Sequence, residues 1–202
     1  MPRAPGQIDR AKNEAILDAA AEILSEKGLS APMALIARRA NVSKQTIYNH
    51  YGAKMDLIQA LVQRRVEAMT QPLVEPETPT EPVEALATFA ATLIRFVVAP
   101  SGASIMRLTI QSSTDTPKLA HDVMLAGPIA AVERLGRFMA AEMKAGRMAQ
   151  GDPAEAAEMF AGMAAGHKQT LALLGYPLKM EEAEIHSLAR RIAERFWRAY
   201  AV

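Results

Sequence analysis

The chain contains no cysteine, and this single absence removes a disulfide framework, a thiolate metal site and a cysteine nucleophile together. Long apolar runs are also missing. None is long enough to span a bilayer, and the opening MPRAPGQIDR lacks the hydrophobic centre of a secretion signal. The expected location is therefore cytoplasmic, with no membrane partner. No stretch alternates apolar and polar residues as a half-buried strand would, and neither an internal repeat nor a low-complexity segment is present. Catalytic constellations are lacking as well. His50, His121, His167 and His186 are scattered, no Glu-x-x-His pairs line up for a di-iron bundle, no glycine-rich loop follows a strand, and no serine sits in a nucleophile elbow. The sequence thus offers no catalytic residue, no metal-ligand set and no cofactor site, and an enzyme is not expected.

What remains is helical periodicity. With 202 residues, half of them hydrophobic, the chain can bury a substantial core, and the pattern predicts an all-α fold. A loose arm holding Arg3 precedes a helix from about Arg10 to Lys27, closed by Gly28. Its apolar stripe runs through Ile16, Ala20, Ile23 and Leu24. The stretch ALIARRANVSKQTIYNHYGAK, Ala34 to Lys54, then reads as two short helices and a tight turn. Ile36, Ala37 and Ala40 give the first an apolar face. Asn41 tolerates the left-handed backbone of a sharp turn, Val42 plugs the angle, and Ser43 is a favoured N-cap. In the second helix Ile47 and Tyr51 face inward. Lys44, Gln45, Thr46, Tyr48, Asn49 and His50 point largely outward, a donor-rich set without an acid.

A helix N-terminus presents free N–H groups and a partial positive charge, which suit a phosphate. In a helix-turn-helix the second helix enters the major groove with its N-terminal residues at base edges. Lys44 and Gln45 hold that position. Lysine can donate to guanine and glutamine can pair with adenine, whereas Tyr48 and His50 suit phosphate clamping. The charge distribution agrees mildly: residues 1–70 carry ten Lys/Arg against seven Asp/Glu, and 71–202 carry thirteen against fifteen.

The pattern I-A-x-x-A-x-V-S-x-x-T-I-Y-x-H-Y-x-x-K, standing as Ile36 through Lys54, resembles the N-terminal domain of the TetR/AcrR transcriptional regulators. By position, the resemblance implies DNA contacts from Ser43, Lys44, Gln45, Thr46, Tyr48, Asn49, His50 and Lys54. Asn41 stands where the family usually has glycine, and Ala53 where a capping serine is common. A further helix from Met55 to about Thr70 would hang the head on a larger body. Met106 to Gly166 is similar to the C-terminal domain of the AefR-like branch.

The run QPLVEPETPTEP, with Pro72, Pro76, Pro79 and Pro82, predicts irregular chain from Gln71 to Pro82. It divides an expected helix-turn-helix DNA-binding domain, 1–70, from a helical effector-binding and dimerisation domain, 71–202. The body predicts helices at about Pro82–Val98, Ser101–Ser113, Lys118–Leu125, Pro128–Ala145, Pro153–Leu174 and Glu181–Tyr200.

Two features of the body bear on function. Gly162 and Gly166, four apart among alanines, form a smooth face for a second helix, and the last helix carries Ile192 and Phe196 on an apolar stripe. The family pairs its last two long helices in a four-helix dimer interface, which makes these four residues candidate interface positions. The second is an apolar pocket: Phe89, Phe96, Met106, Met124 and Met163 could line it, and Met139 and Met143 belong to the same methionine-rich helices. Arg95, Arg107, Gln111, His121 and His167 are the polar candidates on those walls. The expected function is a homodimeric, ligand-responsive regulator, most simply a repressor bound to a double-stranded, pseudo-palindromic operator and released by a small-molecule effector. The alternative is a helical protein that binds small molecules or partner proteins without a transcriptional role.

Overall fold

A computed structural model describes residues 10–27, 30–74 and 81–202. Arg3, Gly28, Pro76 and Pro79 lie outside the described residues. Among the described residues ten α-helices follow in order: α1 (Arg10–Lys27), α2 (Met33–Arg39), α3 (Lys44–Tyr51), α4 (Lys54–Val74), α5 (Pro82–Val98), α6 (Pro100–Asp115), α7 (Pro117–Met124), α8 (Ala130–Lys144), α9 (Pro153–Leu173) and α10 (Glu182–Tyr200). Among the described residues the β-type pairing is one isolated bridge, between Met148 and Ala201.

Three boundaries depart from the periodicity, each for a local reason. Pro72 lies inside α4 rather than starting an irregular run. It sits in the last turn, where its missing N–H forfeits one ladder bond and nothing above it is broken. Pro128 does not open α8. It falls in a π-helical turn, Leu125–Ile129, that carries α7 into α8; the wider i→i+5 winding accommodates a residue with no N–H to give. Gly166 interrupts α9 at φ 49° and ψ −151°, a backbone position open to glycine, so the last long helices are not both continuous rods.

Two hydrophobic cores form, and α4 belongs to both. The first packs α1, α2 and α3 with Leu57, Ile58, Leu61 and Val62 of α4, and takes in Ile105 of α6 and Val123 of α7. The second begins at Val66, Met69 and Leu73 of the same helix and continues through α5, α8, α9 and α10. Phe89, Phe160, Phe196 and Tyr200 form an aromatic chain through it, with successive ring centroids 6.2, 5.0 and 4.5 Å apart. Polar ties cross the same helix. Arg64 donates to Glu14 and Asp18 of α1 at 2.9 and 2.8 Å. Thr70, fully buried, accepts from Arg134 of α8 at 2.9 Å while donating to the Val66 carbonyl. Burial works against the Arg64 charge, but its bonds to the two carboxylates outweigh that and hold the guanidinium above its ordinary value.

The corner between α5 and α6 is bent by 73°. It closes because residue 102 is glycine: a Cβ there would lie 2.1 Å from the Phe96 carbonyl oxygen. Among the described residues no single helix is long and apolar enough to cross a membrane.

Candidate nucleic-acid interface and effector cavity

The turn between α2 and α3 is built as its residues dictate. Asn41 takes φ 53°, the left-handed conformation that asparagine tolerates better than most residues. Ser43 is the N-cap of α3, its hydroxyl accepting from the Thr46 N–H at 3.0 Å. The N-terminus of α3 is thus capped by the protein, and the N–H groups left to a phosphate are those of the first two residues, Lys44 and Gln45. Ile47 and Tyr51 are buried, fixing which face of the helix is free.

On that free face Lys44, Gln45, Tyr48, Asn49 and His50 are exposed and Thr46 is half-buried. Several are already engaged with one another. Gln45 donates its amide to Asn49 Oδ1 at 2.6 Å, and the Lys44 ammonium lies 5.6 Å from the centre of the Tyr48 ring. The Thr46 and Ser43 hydroxyls are 2.8 Å apart. His50 Nε2 is 3.1 Å from Asn13 Oδ1 of α1, which also accepts from the Tyr51 hydroxyl. That tyrosine is pushed up to about 12, by burial first and by the nearby Glu14 charge second.

Lys54 departs from the expectation. Its ammonium donates inward to the Ala31 carbonyl, tying the start of α4 to the segment that leads into α2, and burial lowers its pKa from the ordinary lysine value. Ala53, standing where a capping serine is common, is compensated by Asp56, whose carboxylate accepts from the Ala53 N–H at 2.9 Å. Arg38, not singled out from the sequence, is exposed at the C-terminal end of α2, beside the turn. Its partner in the Arg-Arg pair, Arg39, is bound to Glu22 at 2.6 Å.

Below the head lies a cavity of about 280 Å³. At roughly 30 Å³ per water this is room for on the order of ten waters, a volume suited to a small organic molecule. Its wall comes from α4, α5, α6, α7, α8, α9 and the π-helical turn, with Ala21 and Leu24 of α1 at the head side. Phe89, Phe96, Met106 and Met124 line it, as does Gly162.

The other ligand candidates lie off the wall. Arg95 is held across to α10 by a bidentate pair with Glu182, at 2.9 and 2.7 Å, and the bond to that carboxylate raises its pKa. Arg107 donates to the carbonyls of Ala172 and Leu173, satisfying the open C-terminal end of α9. Gln111, His121 and His167 are exposed, and Met163 is 45% exposed on the outer side of α9. Met139 and Met143 are core. The sequence missed α4's share of the wall: Leu61, Val62, Arg65, Val66 and Met69 all face the cavity. The doublet Arg64-Arg65 within an apolar stripe was the available signal, because adjacent helical residues cannot share one solvated face with equal ease.

Two of the four dimer candidates also need correction. Ile192 and Phe196 are 8% and 2% exposed in the single chain, packed in its own core, and so have no surface to offer a partner. Gly162 and Gly166 are exposed, flanked by Met159 and Met163 at 48% and 45%. A Cβ at either glycine would meet nothing within 4 Å.

Two family models match this architecture. Residues 16–61 match bacterial regulatory proteins of the tetR family, and residues 84–202 match the C-terminal domain of the AefR-like transcriptional repressors. The chain belongs to the TetR family, with an AefR-like C-terminal domain, and is a helix-turn-helix transcriptional regulator. Among its relatives is the regulator YdeS of Bacillus subtilis strain 168, 35% identical over 115 residues; the alignment spans 56% of each chain. A TetR-family regulator from Mesorhizobium loti MAFF303099 has the same fold, with a TM-score of 0.70 and 24% identity over 96% of this chain and all of that one. The flavonoid-responsive regulator FrrA superposes with a TM-score of 0.61 at 27% identity, covering 94% of this chain and 97% of its own.

Proposed function

We propose that this regulator is a cytoplasmic repressor that binds a pseudo-palindromic operator as a homodimer and leaves it when a small molecule fills the cavity. A DNA-binding head, 1–70, and an effector-binding, dimerising body, 71–202, share α4 between them. The observation that carries the reading is the double membership of that helix: its first half lies in the head core and its middle in the cavity wall. A ligand contacting Leu61, Val62 or Met69 therefore touches the same rigid element that seats the reading helix. In the dimer, two α3 helices must meet successive major grooves about 34 Å apart. An effector that prefers the dimer with its heads set at another spacing lowers operator affinity by that preference.

Within α3, Lys44 and Gln45 are assigned to base edges, with Ser43, Thr46, Tyr48, Asn49 and His50 positioning the backbone. The dimer face is assigned to the outer side of α9, around Met159 and Met163. FrrA's response to flavonoids makes a planar aromatic compound one reasonable occupant of the cavity. Selection of bound genomic fragments, followed by gel shifts across salt concentrations, tests the core of the reading. Binding that is sequence-selective and weakens steeply with salt is expected. Equal affinity for all duplexes, or none, would sink it.

A further inference from the structure

The cavity wall is apolar except at a few points, and among the described residues Arg65 is its one ionisable side chain. The guanidinium carbon lies 5.1 Å from the centre of the Phe96 ring. No hydrogen bond or ion pair to Arg65 forms among the described residues. The adjacent Arg64, on another face of the helix, is paired instead, with Glu14 and Asp18 of α1. A partly buried cation without a counter-charge costs free energy, and the face of one phenyl ring offsets only part of it. Burial, and then the adjacent Arg64 charge, push the Arg65 guanidinium below its ordinary value, as expected of a site short of negative charge. Arginine nonetheless remains charged, and its planar fork of donors matches a carboxylate in a bidentate fashion.

We infer that the effector is an organic acid, a single carboxylate on an apolar skeleton, with its head group on Arg65 and its tail among the methionines and Phe89. The wall holds no second cation, which argues against a phosphate or another multiply charged group. Ser101 and Gln169, also on the wall, can serve the free lone pairs of the carboxylate. This inference rests on the reading of the cavity as the effector site and names the chemistry that would fill it. It also places the ligand's charge on α4, one residue from the tie to the head.

The test uses the full-length protein and a matched panel: octanoate, decanoate, dodecanoate, phenylacetate and benzoate, each against the alcohol of the same skeleton. Calorimetric titration measures affinity without DNA. At least one acid should bind roughly 10- to 100-fold tighter than its alcohol, the value of one charge-assisted contact. In Arg65→Gln that preference should collapse while affinity for the alcohol holds, and Arg65→Lys should restore part of it. Because Arg65 has no hydrogen-bonded partner to lose, Arg65→Gln should keep the wild-type helicity and melting temperature; if it unfolds, the Arg65→Lys titration alone must still show acid affinity reduced and alcohol affinity unchanged. The proposal is overturned if no acid outbinds its alcohol, or if the acid preference survives Arg65→Gln. A gel-shift arm separates this from the repressor reading. Acids that bind through Arg65 yet leave the operator complex intact would refute release and keep the site. An alcohol or a flavonoid that releases the operator equally well from wild type and Arg65→Gln would do the reverse.

Discussion

Alanine at Gly162 and at Gly166 should have opposite effects on the protomer, because the first glycine is helical and the second is not. Gly162 is helical and exposed, and a Cβ there meets nothing within 4 Å. Replacing an interior helical glycine by alanine gains about 0.8–1 kcal/mol through the unfolded chain's entropy, which for a chain of this size raises the melting temperature by roughly 2–4 °C. At Gly166 the same space is open, but φ is 49° with ψ −151°. Alanine there should cost about 1–3 kcal/mol of backbone strain with no steric clash at all. These signs hold for an isolated chain. Gly162 borders the cavity, so association is tested on the outer side of α9, where Met163→Lys should drive the protein toward monomer. Sedimentation of wild type should give about twice the 21.9 kDa chain mass. Melting curves at two protein concentrations then separate protomer stability from association. A stable wild-type monomer at micromolar concentration, or a Met163→Lys dimer indistinguishable from wild type, refutes the assignment of this face. A Gly166→Ala protein as stable as wild type refutes the strain.

Gln45→Ala should relax base preference at one position per half-site by about 1–3 kcal/mol while sparing overall affinity, read from a matrix of operator variants. Lys54→Ala should destabilise the protein by about 1 kcal/mol, the loss of a half-exposed charge-assisted bond read as a lower melting temperature, and leave the salt slope of DNA binding intact. A slope reduced by about one counterion would instead return Lys54 to a phosphate. Tyr51 keeps its proton to about 12 in the fold, against an ordinary value of 10.0. Its contribution is whole below pH 10 and drains away as pH rises through 12, so Tyr51→Phe should remove that alkaline component of the stability profile.

The head was legible because its signals are local. Asn41, Ser43, Ile47 and Tyr51 each do what residue type and spacing require, within a dozen positions of one another. What the sequence withheld were partners distant along the chain: Asn13 for His50, Ala31 for Lys54, Glu182 for Arg95. A free cation and a paired one have the same one-letter code. The two glycines of α9 make the same point for the backbone, since four-residue spacing implies a shared helical face only while both residues stay helical, and Gly166 does not. The cavity was half legible: its aromatic and methionine lining follows from apolar periodicity, but its single charge sits on α4, a helix whose apolar stripe had already been assigned to supporting the head.

The same helix decides how a bound molecule could act on the head. The ion pairs of Arg64 with Glu14 and Asp18 join α4 to α1, but those carboxylates are 50% and 69% exposed, and such pairs contribute about 0–1 kcal/mol each. Leu57, Ile58, Leu61 and Val62 are all at or below 9% exposed in the head core, and burial at about 1.5–3 kcal/mol per side chain outweighs the pairs several-fold. The first half of α4 therefore moves with the head, whatever the state of the ion pairs. Beyond Val62, Val66, Met69 and Leu73 bind the helix to the body just as firmly. Between these anchors stands Arg65, and the face it shares with Leu61, Val62, Val66 and Met69 borders the cavity. A hundredfold loss of operator affinity needs a ligand to prefer one seating of α4 by about 2.7 kcal/mol. One charge-assisted contact at Arg65, at about 1.5–3 kcal/mol, is of that size. The stretch of α4 around Arg65 is therefore where a small molecule can shift the head without first breaking either core.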